Sequence, residues 1–156
     1  MRIKVEDDED LDAARKAAEA TGVSLTEVTA EPTDEFEEQV APIIAVLIGA
    51  GVVAGVKMVL QWWDRRKGGL VIDLRPDVPD IFYRDKDVPY GWVATIPTKG
   101  GKVTVDVKDD PDAAETWINK VIEAVFKTVD QVTKAAESVL GASKIVDVQV
   151  AKIISH

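Results

Sequence analysis

From Gln39 to Trp63 the chain reads QVAPIIAVLIGAGVVAGVKMVLQWW, 25 residues whose single charge is Lys57, followed at once by Asp64, Arg65, Arg66 and Lys67. So much apolar surface must leave water, and that limits the fold more than any other feature. As one helix starting near Val40 it reaches roughly 37 Å at ~1.5 Å per residue, against ~30 Å of bilayer hydrocarbon. Trp62 and Trp63 would then lie at an interface, with Arg65, Arg66 and Lys67 on the cytoplasmic side. The stretch is also rich in small residues at helical spacing. Gly51 and Gly55 share a helical face with Ile44, Ile48, Met58 and Trp62, and Ala45 and Gly49 share another with Val52 and Val56. Small residues four apart let backbones approach closely. Glycine costs a helix about 1 kcal/mol relative to alanine, so these glycines need a packing reason. Lys57 opposes deep insertion, at ~3 kcal/mol near a helix centre. The expectation is a helix that self-associates or docks a protein partner, with membrane insertion as the alternative. On the first reading, Gly51→Leu or Gly55→Leu breaks assembly and leaves the rest folded.

Charge is unevenly placed. Residues 1–38 hold thirteen acidic and four basic residues and account for the whole net charge of −9; the remainder is balanced. An acidic arm repels phosphate, so nucleic acid is a disfavoured partner. The arm reads as a solvated surface, with docking as the second reading. Met1 leads into RIKVEDDED, charged where a secretory leader needs an apolar core. The expected location is the cytoplasm, with membrane association if the apolar segment inserts. Cysteine is absent, which removes disulfides, thiol chemistry and Cys-based metal sites.

Along the chain, Arg2–Val5 alternates as a strand, and a helix over Leu11–Ala20 stops at Gly22. A second strand covers Val23–Ala30. Pro32-Thr33-Asp34 breaks the chain and caps the apolar helix. Leu70–Leu74 is a strand, and Arg75–Pro89 a proline-punctuated loop. Tyr90–Ile96 and Lys102–Val107 form a hairpin about Thr98-Lys99-Gly100-Gly101. A long helix follows Asp110-Pro111, with Ile118, Ile122, Val125, Val129, Val132, Ala136 and Val139 at heptad steps. Trp117, Val121, Phe126 and Leu140 widen that stripe, which suits a helix lying on a sheet. Ile145–Ile154 is a final strand. The order β-α-β-α-β-β-β-α-β predicts an α+β fold with a small mixed or antiparallel sheet. It divides into an acidic opening segment (1–38), an apolar helix (39–67) and an α+β remainder (68–156) that forms one domain with the opening.

No enzymatic signature is present. His156 is the one histidine and stands at the end of the chain, so the serines have no base and no nucleophile elbow. Asp7, Asp8, Glu9, Asp10 and Asp12 lack the spacing and glycine of a calcium loop, and read as a solvated edge. No cofactor or metal is expected. In the segment from Asp80 to Trp92, Phe82, Tyr83, Arg84, Tyr90 and Trp92 gather aromatics and an arginine, the residue types of binding hot spots. Inward packing of Phe82 and Trp92 beside Trp117 is the competing reading.

The RIKV strand and acidic helix, the apolar segment ending in WWDRRKGG, the LVIDL strand and the GGKVTVDV strand come in an order that resembles the effector-associated constant components of bacterial conflict systems. The resemblance covers most of residues 1–130 and is one of arrangement. It implies an adaptor or assembly role in bacterial defence and brings no catalytic residues. The function expected is a non-enzymatic self-assembling or adaptor module, with a membrane-inserting effector as the alternative.

Overall fold

The apolar stretch is divided between a strand and a helix. The structure, a computed structural model, describes residues 2–29, 43–49, 51–65, 68–78, 80–108 and 110–150. In chain order its elements are β1 (Arg2–Lys4), α1 (Asp8–Thr21), β2 (Ser24–Thr29), β3 (Ile43–Gly49), α2 (Val52–Asp64), β4 (Gly69–Asp73), β5 (Phe82–Asp85), β6 (Trp92–Ile96), β7 (Lys102–Asp106), α3 (Pro111–Ala124), α4 (Val129–Val139) and β8 (Ile145–Gln149). The fold is α+β with a mixed sheet. The expected opening of the apolar helix, through Pro32, Thr33 and Asp34, lies outside the described residues.

The single helix over the apolar stretch is therefore corrected, and the physical reason is local. Ile43, Ile44, Val46 and Ile48 are β-branched and favour extended backbone. A short apolar run cannot be assigned to helix or strand by periodicity alone. Gly51 then serves as the N-cap of α2, with φ −63° and ψ 164°. β3 lies inside the sheet, antiparallel to β2 and to β1, a position that accepts an unbroken apolar run. Within α2, Val56, Met58, Val59 and Trp62 are fully buried, while Lys57, Gln61 and Asp64 are exposed. These polar positions, at steps of four and three, form the solvent stripe of an amphipathic helix. Its 13 residues span about 20 Å. No helix among the described residues is long and apolar enough to cross a membrane.

The sheet order is β2-β3-β1-β5-β4-β6-β7-β8. β1 pairs with β5, and β4 with β6, in parallel; the other neighbours are antiparallel. β1 and β2 flank β3, and β3 and β4 flank β1 and β5, so the first half contains two interleaved split β-α-β units. Leu70, Ile72, Phe82, Val93, Val103 and Val105 join side chains from all four helices in one core. Strand alternation sends Val71 and Ala94 to the opposite face, where Tyr83, Trp92, Ile96 and Val88 pack on them. A Cβ on Gly69 would collide with Val88, so glycine there lets the β5–β6 connection fold across the sheet end.

Two further expectations change. The loop over Arg75–Pro89 contains β5, whose Ile3↔Phe82 pairing and antiparallel run along β4 fill the gap between β1 and β4. The long C-terminal helix is two helices. Val125 takes a left-handed φ of 47°, and Phe126 turns inward to stack on Trp117 at 6.2 Å. Thr128 restarts the helix by accepting from the Gln131 N–H, while Gln131 accepts from the Lys127 N–H. This is a capping box that reaches one residue further back than usual. β8 runs from Ile145 to Gln149; residues 151–154 of the expected strand lie outside the described residues.

α1 begins with the same device: Asp7 accepts from the Asp10 N–H and Asp10 from the Glu6 N–H. Asp10 is fully buried. Its Oδ1 accepts from Trp62 Nε1 at 2.9 Å and from Arg84 Nε at 3.2 Å. Arg84 also donates to the carbonyls of Trp62 and Trp63, at 2.6 and 2.9 Å, and lies 4.4 Å from the Trp62 ring centroid. It thus neutralises the C-terminal end of α2, where the helix dipole favours a cation. Removing one partner of a buried pair strands the other charge, at about 3–5 kcal/mol. Arg84→Met and Asp10→Asn are each expected to lower the urea midpoint strongly. The double variant should lose less than the sum of the two; strictly additive losses would show that the pair is not coupled.

Candidate functional site

The structure separates the residues that the sequence places on two faces of one helix. Ile44, Ala45, Ile48 and Gly49 belong to β3, Gly51 caps α2, and Gly55 and Met58 are buried. Trp62 and Trp63, on the last turn of α2, are buried. Arg65 is exposed in a shallow polar cleft with Glu9, Asp12 and Lys16. Arg66 and Lys67 lie outside the described residues. With Gly55 inside the core, Gly55→Leu now carries the consequence of overpacking rather than a clean loss of assembly.

The five residues of the expected partner loop also part company. Phe82 is fully buried in the main core, Arg84 is spent on Asp10 and α2, and Trp92 packs on the opposite sheet face. Tyr83 joins a polar cluster at one end of the sheet. Tyr90 alone stands out, at 39% exposure.

Tyr90 is one wall of a groove of about 360 Å³ at the sheet end where β4 and β6 begin. Leu60, Gln61, Trp63 and Asp64 come from α2; Tyr90 and Gly91 precede β6; Val107 and Lys108 follow β7; Asp110, Pro111 and Ala114 open α3. Trp63 donates Nε1 to the Gly68 carbonyl at 2.7 Å, which fixes its ring. Its centroid lies 6.4 Å from that of Tyr90, at an interplanar angle of 51°. The Tyr90 hydroxyl is 3.5 Å from Asp64 Oδ1. Asp110 caps α3 by accepting from the Ala113 N–H. Gly91 has φ +89°, and a Cβ there would come within 2.5 Å of the Lys108 Cβ; glycine lets these two walls meet. The groove is thus mostly apolar, with two aromatics, two carboxylates and one lysine. Of these residues the sequence singled out Tyr90 and Trp63; Asp64, Lys108 and Asp110 meet through tertiary folding and leave no local pattern.

A second polar cluster occupies the far end of β4. Asp73, almost fully buried, accepts from Arg75 Nε at 2.9 Å, from Arg75 Nη2 at 2.6 Å and from the Tyr83 hydroxyl at 3.0 Å. Burial pushes the Asp73 carboxyl up, but hydrogen bonds from the Arg75 side chain and backbone and from Tyr83, with the Arg75 charge, outweigh it and hold it below the ordinary carboxylate value. Burial, then the Asp73 charge, push the Tyr83 hydroxyl up to about 12. Hydrogen bonding to Asp73 raises Arg75 further. Among the described residues no cluster of His, Asp or Glu has the arrangement to hold a metal ion. No family model, curated protein or solved structure matches this chain.

The cluster gives stability a defined pH dependence. A lowered Asp73 pKa contributes stability above the unfolded carboxylate value of about 3.9, lost as pH falls through the lower folded value. A raised Tyr83 pKa contributes stability below about 10, lost as pH rises through about 12. Asp73→Asn should flatten the acid limb of a urea-midpoint-against-pH curve, and Tyr83→Phe the alkaline limb. Variant curves merely parallel to the parent would refute the assignment.

Proposed function

We propose that this protein is a non-enzymatic interaction module, an adaptor that takes a basic segment of a partner protein into the groove between α2 and α3. The observation that carries the reading is the groove itself: Trp63 and Tyr90 beside Asp64 and Asp110 in about 360 Å³. Aromatic faces attract a guanidinium or ammonium by about 0.5–2 kcal/mol, and the carboxylates complete the charge match. The chain's net charge of −9 adds long-range attraction for a cationic partner. The volume suits one or two side chains of a peptide. Among the described residues the buried carboxylates are committed elsewhere, Asp10 to Arg84 and Asp73 to Arg75, and this supports a binding role over catalysis. The adaptor role is also what the resemblance to effector-associated components of bacterial defence implies.

Titration with an acetylated, amidated tetra-arginine peptide, followed by tryptophan fluorescence, tests the reading. Tyr90→Ala and Asp64→Lys are exposed-site changes, each expected to weaken binding about tenfold, or ~1.4 kcal/mol. A tetra-glutamate peptide should not bind. Equal affinity of parent and variants would remove the groove from the function.

A further inference from the structure

The other unspent surface is the β8 edge. Among the described residues β8 pairs only with β7 and ends the sheet order. Val146, Val148 and Val150 are 40%, 44% and 75% exposed. Natural edge strands are usually guarded by lysine, proline or a bulge. Here the register passes from Thr104↔Asp147 to Val105↔Ile145 and skips Val146, so a bulge occupies the first residues of β8 and only the stretch beyond it is unguarded. Asp147, Val148 and Gln149 remain in regular register with Thr104, Val103 and Lys102. Asp147 is the one charge from Ile145 to Val150.

We propose that two copies of this chain pair antiparallel through β8, about a two-fold axis at Val148. The sequence Val146-Asp147-Val148-Gln149-Val150 is self-complementary about its centre. Directly opposed residues of antiparallel strands share a face, and opposed pairs set the energy of the ladder. With the axis at Val148, that residue meets its own copy and Asp147 meets Gln149, the three positions in regular register with β7; Val146, in the bulge, lies outside this ladder. An axis at Asp147 would set two carboxylates against each other. An axis at Gln149 would leave Asp147 opposite Ala151. An axis between residues would oppose valine with polar side chains. The Gln149 Nε2 already donates to Asp147 Oδ2 at 2.9 Å within one strand, so donor and acceptor share a face and can exchange partners across the axis. Because the contact is isologous it closes: each copy covers the other's edge and leaves no β8 free for a third.

The absence of cysteine makes the test direct. Opposed residues on antiparallel strands lie ~4.5–5.5 Å apart at Cα, inside the ~4.4–6.8 Å range of a disulfide. Val148→Cys, oxidised with glutathione disulfide, is expected to form a covalent dimer at least tenfold faster than Glu137→Cys on the exposed side of α4. Gln149→Asp added to Val148→Cys sets two pairs of carboxylates in opposition and should slow cross-linking. Gln149→Lys sets each opposite Asp147 and should speed it. Cross-linking of Val148→Cys no faster than the α4 control overturns the pairing, and indifference to charge at 149 overturns the register.

Discussion

The Asp10–Arg84–Trp62 contact joins elements far apart in sequence, and the rest of the molecule is arranged around it. One carboxylate at the start of α1 binds the indole of α2 and the guanidinium of β5. The same guanidinium closes the C-terminal end of α2 through two carbonyls. Burying an aspartate against a mostly buried arginine side chain is tolerable when the strong donors and acceptors find partners. Asp10 meets that condition with the Glu6 N–H as its third donor. The contact also accounts for β5 lying between β1 and β4: Arg84 reaches Asp10 and the end of α2 from there.

Holding the end of α2 has a consequence for the groove. Trp63 and Asp64 form its wall on the last turn of that helix, where helices ordinarily fray. Arg84 holds the Trp63 carbonyl and Gly68 holds the Trp63 indole. The wall is therefore rigid before any ligand arrives, and less ordering entropy is lost on binding. Tyr90, on a loop and more exposed, is the adaptable wall.

Much of the frame was legible in the sequence. Gly22 as a helix stop, the strands at 70–73, 92–96 and 102–106, and the hairpin at Thr98–Gly101 follow from local chemistry that tertiary packing did not override. The apolar stretch reads as one helix because mean hydropathy hides the polar stripe at Lys57, Gln61 and Asp64, and because its length outweighs the β-branched Ile43, Ile44, Val46 and Ile48. The heptad steps through Val125 and Val129 continued across a helix break. The counter-signal was Thr128 with Gln131 three residues on, a capping pattern inside the apparent helix. Strand β5 was concealed by flanking prolines. The groove was only partly legible, because its carboxylates and aromatics come from four places in the chain.

The two proposed surfaces are physically separable. The groove gathers around the end of the sheet where β7 finishes and α3 begins, whereas the β8 contact runs along an outer strand. β8 pairs with residues 102–105, and the groove takes Val107 and Lys108 just beyond them. Pairing two copies through β8 therefore leaves both grooves outside the contact and relates them by the two-fold axis. A partner carrying two basic segments would then gain from effective concentration without any new contact, provided its linker spans the two sites. The helical part of the apolar stretch serves the groove from both sides, with Val56, Met58, Val59 and Trp62 buried in the core and Leu60, Gln61 and Trp63 on the groove wall.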